Sequence, residues 1–140
     1  MKDWQKLRSK ENLERIIGER FSGSLMNNHK WVKLLTLLVE NAHLIKQCDV
    51  KLIWEEYSER KLLIDENTTY QFDYYPSSME SMITGKPFGW YAYEEIEWIA
   101  FPAKSGTLTQ DIQQIHQLFE QVGGLSVEME EGELKVYGYK

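Results

Sequence analysis

Trp31, Leu34, Leu35, Leu38, Val39 and Ala42 fall at i, i+3, i+4, i+7, i+8 and i+11, which sets them on one face of a single helix. A helix with one strongly apolar face must bury it, so this stripe predicts a central packing helix with Asn27 or Asn28 as its N-cap. At 140 residues the chain is long enough to bury roughly two-thirds of its unfolded surface around such a helix without a disulfide or a metal. The lone Cys48 has no partner for a disulfide, and the expected compartment is the reducing cytoplasm. The opening Met1-Lys2-Asp3-Trp4-Gln5-Lys6 has no apolar leader, and the densest apolar run, 34–39, is too short to span a membrane.

Upstream of the stripe, residues 3–21 predict a mostly polar helix with Trp4, Leu7, Leu13, Ile16 and Ile17 at loose helical spacing. Downstream the period changes to two: Val50, Leu52 and Trp54 alternate with Lys51, Ile53, Glu55 and Tyr57, which predicts a strand. Leu62-Leu63-Ile64 predicts a short strand, and Tyr70, Phe72 and Tyr74 a further one ended by Pro76. The stretch 79–87 has weak patterning and predicts an irregular loop or a helical turn. Ile96 to Phe101 has the content of a buried strand, stopped by Pro102. Thr107 with Gln110 suits a capping box for a helix carrying Ile112, Ile115, Phe119 and Val122 on one face. Residues 125–136 predict a C-terminal hairpin that turns at 130–133. Strands in adjacent runs imply an α+β fold with a mainly antiparallel sheet packed by helices on one face.

Charge is unevenly distributed. Residues 1–33 carry eight basic and four acidic side chains, a sum of +4, while the remainder sums to −10. The expected organisation is a basic N-terminal helical arm, 1–26, on a single α+β domain, 27–140. An acidic body lacks the Lys/Arg stripe that binding nucleic acid requires, and it suits a basic partner. The apolar side of the arm could also pair two copies into a homodimer.

Catalytic signatures are sparse. His29, His43 and His116 have no spacing with Cys or each other that zinc needs, and the phosphate-loop, dinucleotide and nucleophile-elbow motifs do not occur. No metal, cofactor or catalytic residue is assigned. Ten of the eighteen aromatic residues lie between Tyr70 and Phe101. Beside Trp90, Tyr91 and Tyr93 stand Glu94, Glu95 and Glu97, and Glu55, Glu56 and Glu59 form a second acidic cluster. Rings with carboxylates are what a surface needs to hold a basic protein, since charge steers encounter and buried rings slow dissociation. These nine residues are the predicted partner-binding set. The rival reading is a small enzyme or ligand-binding domain with Glu95 or Glu97 as acid or base in a cleft near Trp90 to Trp98.

Three short motifs, Asn27-Asn28-His29-Lys30-Trp31, Tyr93-Glu94-Glu95-Ile96-Glu97-Trp98 and Val136-Tyr137-Gly138-Tyr139, resemble those of a small bacterial family catalogued as a domain of unknown function. The resemblance covers 27–140 and leaves 1–26 outside. It implies a bacterial, cytoplasmic, single-domain protein and carries no activity. Size, acidity and the aromatic-acidic stretch together point to a non-enzymatic binding protein, with an immunity-type partner of a basic bacterial toxin as the leading expectation.

Overall fold

Seven antiparallel strands form the main sheet of the computed structural model, which describes residues 4–56, 60–62, 64, 82–86 and 90–140. In chain order the elements are α1 (Trp4–Leu7), α2 (Lys10–Arg20), α3 (Asn28–Glu40), β1 (Cys48–Leu52), β2 (Arg60–Leu62), β3 (Met82–Lys86), β4 (Trp90–Ala92), β5 (Ile96–Pro102), β6 (Lys104–Ser105), β7 (Leu108–Thr109), α4 (Ile112–Leu118), β8 (Val127–Glu130) and β9 (Glu133–Tyr137). The sheet order is β4-β3-β2-β1-β5-β9-β8, and β6 with β7 makes a small separate ribbon.

The predicted packing helix is α3, capped by Asn27, whose side chain accepts from the Lys30 amide. It buries Trp31, Leu34, Leu35 and Leu38 against Val50, Leu52, Ile99, Phe101, Leu134 and Val136 of the three central strands. Helix α4 adds Ile112 and Ile115 to the same core, followed by Phe119, whose ring meets Phe101 at 5.9 Å. Helices α3 and α4 therefore cover the face that the alternation of β1, β5 and β9 makes apolar. Opposite lie Asp49, Lys51, Trp98, Lys135 and Tyr137, with the Lys135 ammonium 4.3 Å from the Trp98 ring centroid.

Helix α2 packs at one end of the sheet, where Leu13 and Ile16 meet Ile53 and Tyr139 just beyond β1 and β9. The apolar side of the N-terminal arm is thus engaged within its own chain. The arm is two helices rather than the single helix expected. Ser9 accepts from the Asn12 amide and caps α2, and Arg8 turns away toward the body.

Four further expectations differ from the structure. Strand β1 stops at Leu52 instead of running to Tyr57, because a turn joins the Glu55 amide to the Leu52 carbonyl and the Ile53 amide bonds to Glu95. Met82–Lys86, read as loop or helical turn, is a strand, since ladder bonds to β2 and β4 on its two sides outweigh its weak patterning. Asp111, not Thr107, caps α4, and the Gln110 side chain instead ties Pro102 to the amides of Lys46 and Gln47. Strand β2 begins earlier than expected, at Arg60. The strand expected over 70–75 lies outside the described residues.

The C-terminal hairpin forms with Glu130 opposite Glu133. Its two-residue turn has Glu131 at φ 46° and Gly132 at φ 78°, the left-handed pair that matches the strands' twist.

Candidate functional site

Between β4 and β5 the chain makes one 3₁₀ turn, Tyr93–Glu95, at the sheet end where α2 packs. In a turn, successive side chains no longer alternate between two faces, so three neighbours take three environments. Tyr93 points inward, 1% exposed, with its ring 6.4 Å from that of Trp31. Glu95 is 2% exposed and holds four donors: Arg8 Nε at 2.6 Å and Nη2 at 2.8 Å, Trp54 Nε1 at 3.0 Å and the Ala92 amide at 2.8 Å. A buried carboxylate is tolerated when its oxygens are fully bonded and its charge is matched, and the forked guanidinium of Arg8 does both. Glu94 lies half-buried between these two inward neighbours.

A bulge follows. Lys51 pairs with Trp98 but Leu52 pairs with Ile96, leaving Glu97 as the extra residue. Its carboxylate meets Lys51 Nζ at 2.6 Å and Arg20 Nη2 at 3.4 Å. Arg20 also donates to the Ile53 carbonyl at 2.8 Å, so α2 is fixed to the sheet by Arg20 as the α1–α2 junction is by Arg8.

Glu94 lines a groove of about 530 Å³ together with Ser24, Met26, Asn27, Asn28, His29, Trp31, Tyr93, Gly138 and Tyr139. Its floor is the apolar part of this set, including Trp31, Met26 and Tyr139, while Asn27 and His29 stand exposed at the rim. The Tyr139 hydroxyl donates to the Glu94 carbonyl at 2.7 Å and so fixes the backbone beneath the carboxylate. Gly138 passes so close to β5 that a Cβ there would sit 2.5 Å from the Ile96 carbonyl oxygen and 3.2 Å from the Trp31 ring. Only glycine fits.

The carboxyl of Glu94 titrates above the usual glutamate range. Burial is the largest cause, Lys10 opposes it, and the like charges of Glu95 and Glu14 reinforce it. Tyr139 is pushed up to about 12, by burial and then by the negative charge of Glu94. Among the described residues Glu94 has no ion pair. It differs in this from Glu95, Glu97 and from Glu55, whose carboxylate meets Arg60 Nε at 2.6 Å.

The expected partner-binding set is accordingly divided. Tyr93 and Glu95 are interior, a correction that follows from the turn, which directs the ring onto Trp31 and the carboxylate onto Arg8. Glu97 and Glu55 are partly buried and neutralised within the chain, so they offer a partner little uncompensated charge. Glu56 is exposed. Trp90 and Tyr91 form β4 with Ala92, and their side chains, like the whole of Glu59, lie outside the described residues. Among the described residues, Glu94 and Tyr93 are the members of the set that line the groove.

The groove's other walls have a different reading in the sequence: Trp31 belongs to the α3 packing stripe, Asn27 and Asn28 are cap candidates, and Gly138 and Tyr139 stand out only in the closing motif. One signal was available: all three motifs that carry the family resemblance contribute to this groove, through Asn27 to Trp31, Tyr93-Glu94 and Gly138-Tyr139. Cys48 lies in the core, 1% exposed, and burial followed by the charge of Asp49 raises its thiol well above the ordinary range, which suppresses the thiolate. His116 is exposed, edge-on to Phe119. Among the described residues no group of three or more His, Cys, Asp or Glu is arranged to hold a metal, and no helix is long and apolar enough to cross a membrane.

Comparisons with protein-family models, curated proteins and solved structures find no match to this chain.

Proposed function

We propose that the protein is a non-enzymatic binding module for a basic protein partner, which docks over the groove at the α2 end of the sheet. One observation carries this reading: of the neighbouring carboxylates Glu94, Glu95 and Glu97, two are neutralised by cations of the same chain, and Glu94 stands in the groove without an ion pair among the described residues. A groove whose carboxylate is held in no close ion pair among the described residues favours a cationic visitor, and the −6 net charge steers one toward it. Within this class we favour an immunity-type role, in which the module covers the working surface of a basic bacterial toxin in the cytoplasm.

The test is co-expression with the product of the adjacent upstream gene. A stable complex that is retained by wild type and weakened at least tenfold by Glu94→Lys is the expected result; no complex, or one indifferent to Glu94→Lys, would overturn the reading. A second reading, a small enzyme with an acid or base in this groove, is favoured by the raised Glu94 carboxyl. It shifts the role from Glu95 and Glu97, both held in ion pairs, to Glu94. That reading requires turnover that Glu94→Gln abolishes.

A further inference from the structure

We infer that the groove receives one long cationic side chain of the partner, a lysine or an arginine, with its alkyl stem on the apolar floor and its charged end against the Glu94 carboxylate. The inference rests on the binding-module reading and names the chemical group that reading leaves open.

Shape comes first. About 530 Å³ lies within the range of sites that enclose small ligands and exceeds what one side chain fills, leaving room for adjoining backbone at the rim. The lining is amphipathic in the way a lysine or arginine is. Met26, Trp31, Tyr93 and Tyr139 supply an apolar floor, and these chains lay their methylene stems along apolar surface while keeping the head in polar surroundings. Trp31 and Tyr93, 3% and 1% exposed, are held in place by core packing beneath the groove, so no ring there has to reorient.

Charge selects the head group. Glu94 is the groove's carboxylate, and its neighbour Glu95 shows how this chain treats a guanidinium at the same turn: it binds Arg8 through two parallel bonds. The α3 N-terminus, whose Asn27, Asn28 and His29 also line the groove, is partly positive and disfavours a cation beside it, which leaves Glu94 as the better place for the head. A neutral apolar chain would leave the half-buried carboxylate further desolvated without compensation.

Four capped amino acids test this: the N-acetyl methylamides of lysine, arginine, norleucine and glutamate, titrated into the full chain and read by NMR shifts of the Trp31 indole and the Gly138 amide. Millimolar binding of the lysine and arginine probes is expected, with norleucine at least about fivefold weaker and Glu94→Gln lowering the cationic probes to the norleucine level. Unchanged shifts away from the groove establish that the variant is folded. Norleucine binding as well as lysine, glutamate binding better, or no loss in Glu94→Gln would each overturn the inference. If those outcomes arise while the upstream gene product is still captured, the module reading stands without this site. If the cationic probes bind and no protein partner does, the site stands and the module reading falls.

Discussion

Two acidic regions among the described residues behave oppositely. On the C-terminal hairpin, Glu128, Glu130, Glu131 and Glu133 surround a cleft of about 270 Å³ with Lys135, and Glu130 and Glu131 are exposed. At the α2 end of the sheet, Glu94, Glu95 and Glu97 are drawn partly or wholly inside, and Arg8, Arg20 and Lys51 reach in to two of them. The hairpin carboxylates add negative charge while contributing little to stability, since exposed ion pairs in high dielectric are worth little. Those at the sheet end hold helices to strands. Density of acidic residues in a sequence therefore says less than the solvent each one keeps.

The largest expected effect is at Glu95. Glu95→Ala removes the buried carboxylate to which the Arg8 guanidinium, the Trp54 indole N–H and the Ala92 amide donate, and should destabilise the fold by about 3 kcal/mol in urea unfolding. A loss under about 1 kcal/mol would mean that Glu95 behaves like a hairpin residue. Gly138→Ala follows, at about 2 kcal/mol, because the new methyl must displace the Ile96 carbonyl or the Trp31 ring. The Trp31 indole signal should move with it.

Glu94→Gln should act in the other direction and more weakly. The folded state holds the Glu94 proton more tightly than the unfolded chain does, so stability falls as pH rises from the ordinary glutamate value through the raised folded one. Above that window the cost of the charged form persists in full. Removing the charge should therefore raise the melting temperature slightly at pH 7, by an amount equivalent to less than about 1 kcal/mol after solvent screening, with the gain shrinking in acid below the window. An unchanged melting temperature across pH 4 to 8 would contradict the burial-driven shift.

Smallest of all is the hairpin. Glu131→Asn replaces a glutamate at φ 46° with a residue that tolerates the left-handed turn, and should stabilise by about 0.5 kcal/mol while removing a charge. Any loss beyond about 1 kcal/mol would show that the hairpin acids have a structural role like that at the sheet end.

How far the chain could be read from its residues alone follows the same division. The α3 stripe, the β5 run Ile96–Phe101 and the hairpin were readable because each is decided by local periodicity and burial. Met82–Lys86 was not, since its pairing depends on β2 and β4 rather than on its own pattern. In the groove, Glu94 was singled out as acidic surface, but the roles of Glu95 and Glu97 were hidden. Strand alternation would set those two on one face together, whereas the 3₁₀ turn and the bulge direct both toward cations 46 or more positions away in sequence. A residue-by-residue reading sees charge, not who answers it.

The groove's walls come from residues 24–31, 93–94 and 138–139, and Gly138 and Tyr139 are more than a hundred positions beyond Trp31. During synthesis the pocket therefore lacks the Tyr139 part of its floor, and the lock on the Glu94 backbone, until residue 139 has left the ribosome. Assembly at this end waits on distant contacts, which are slow to form. A ligand that demands a finished groove would bind only after these distant segments have met.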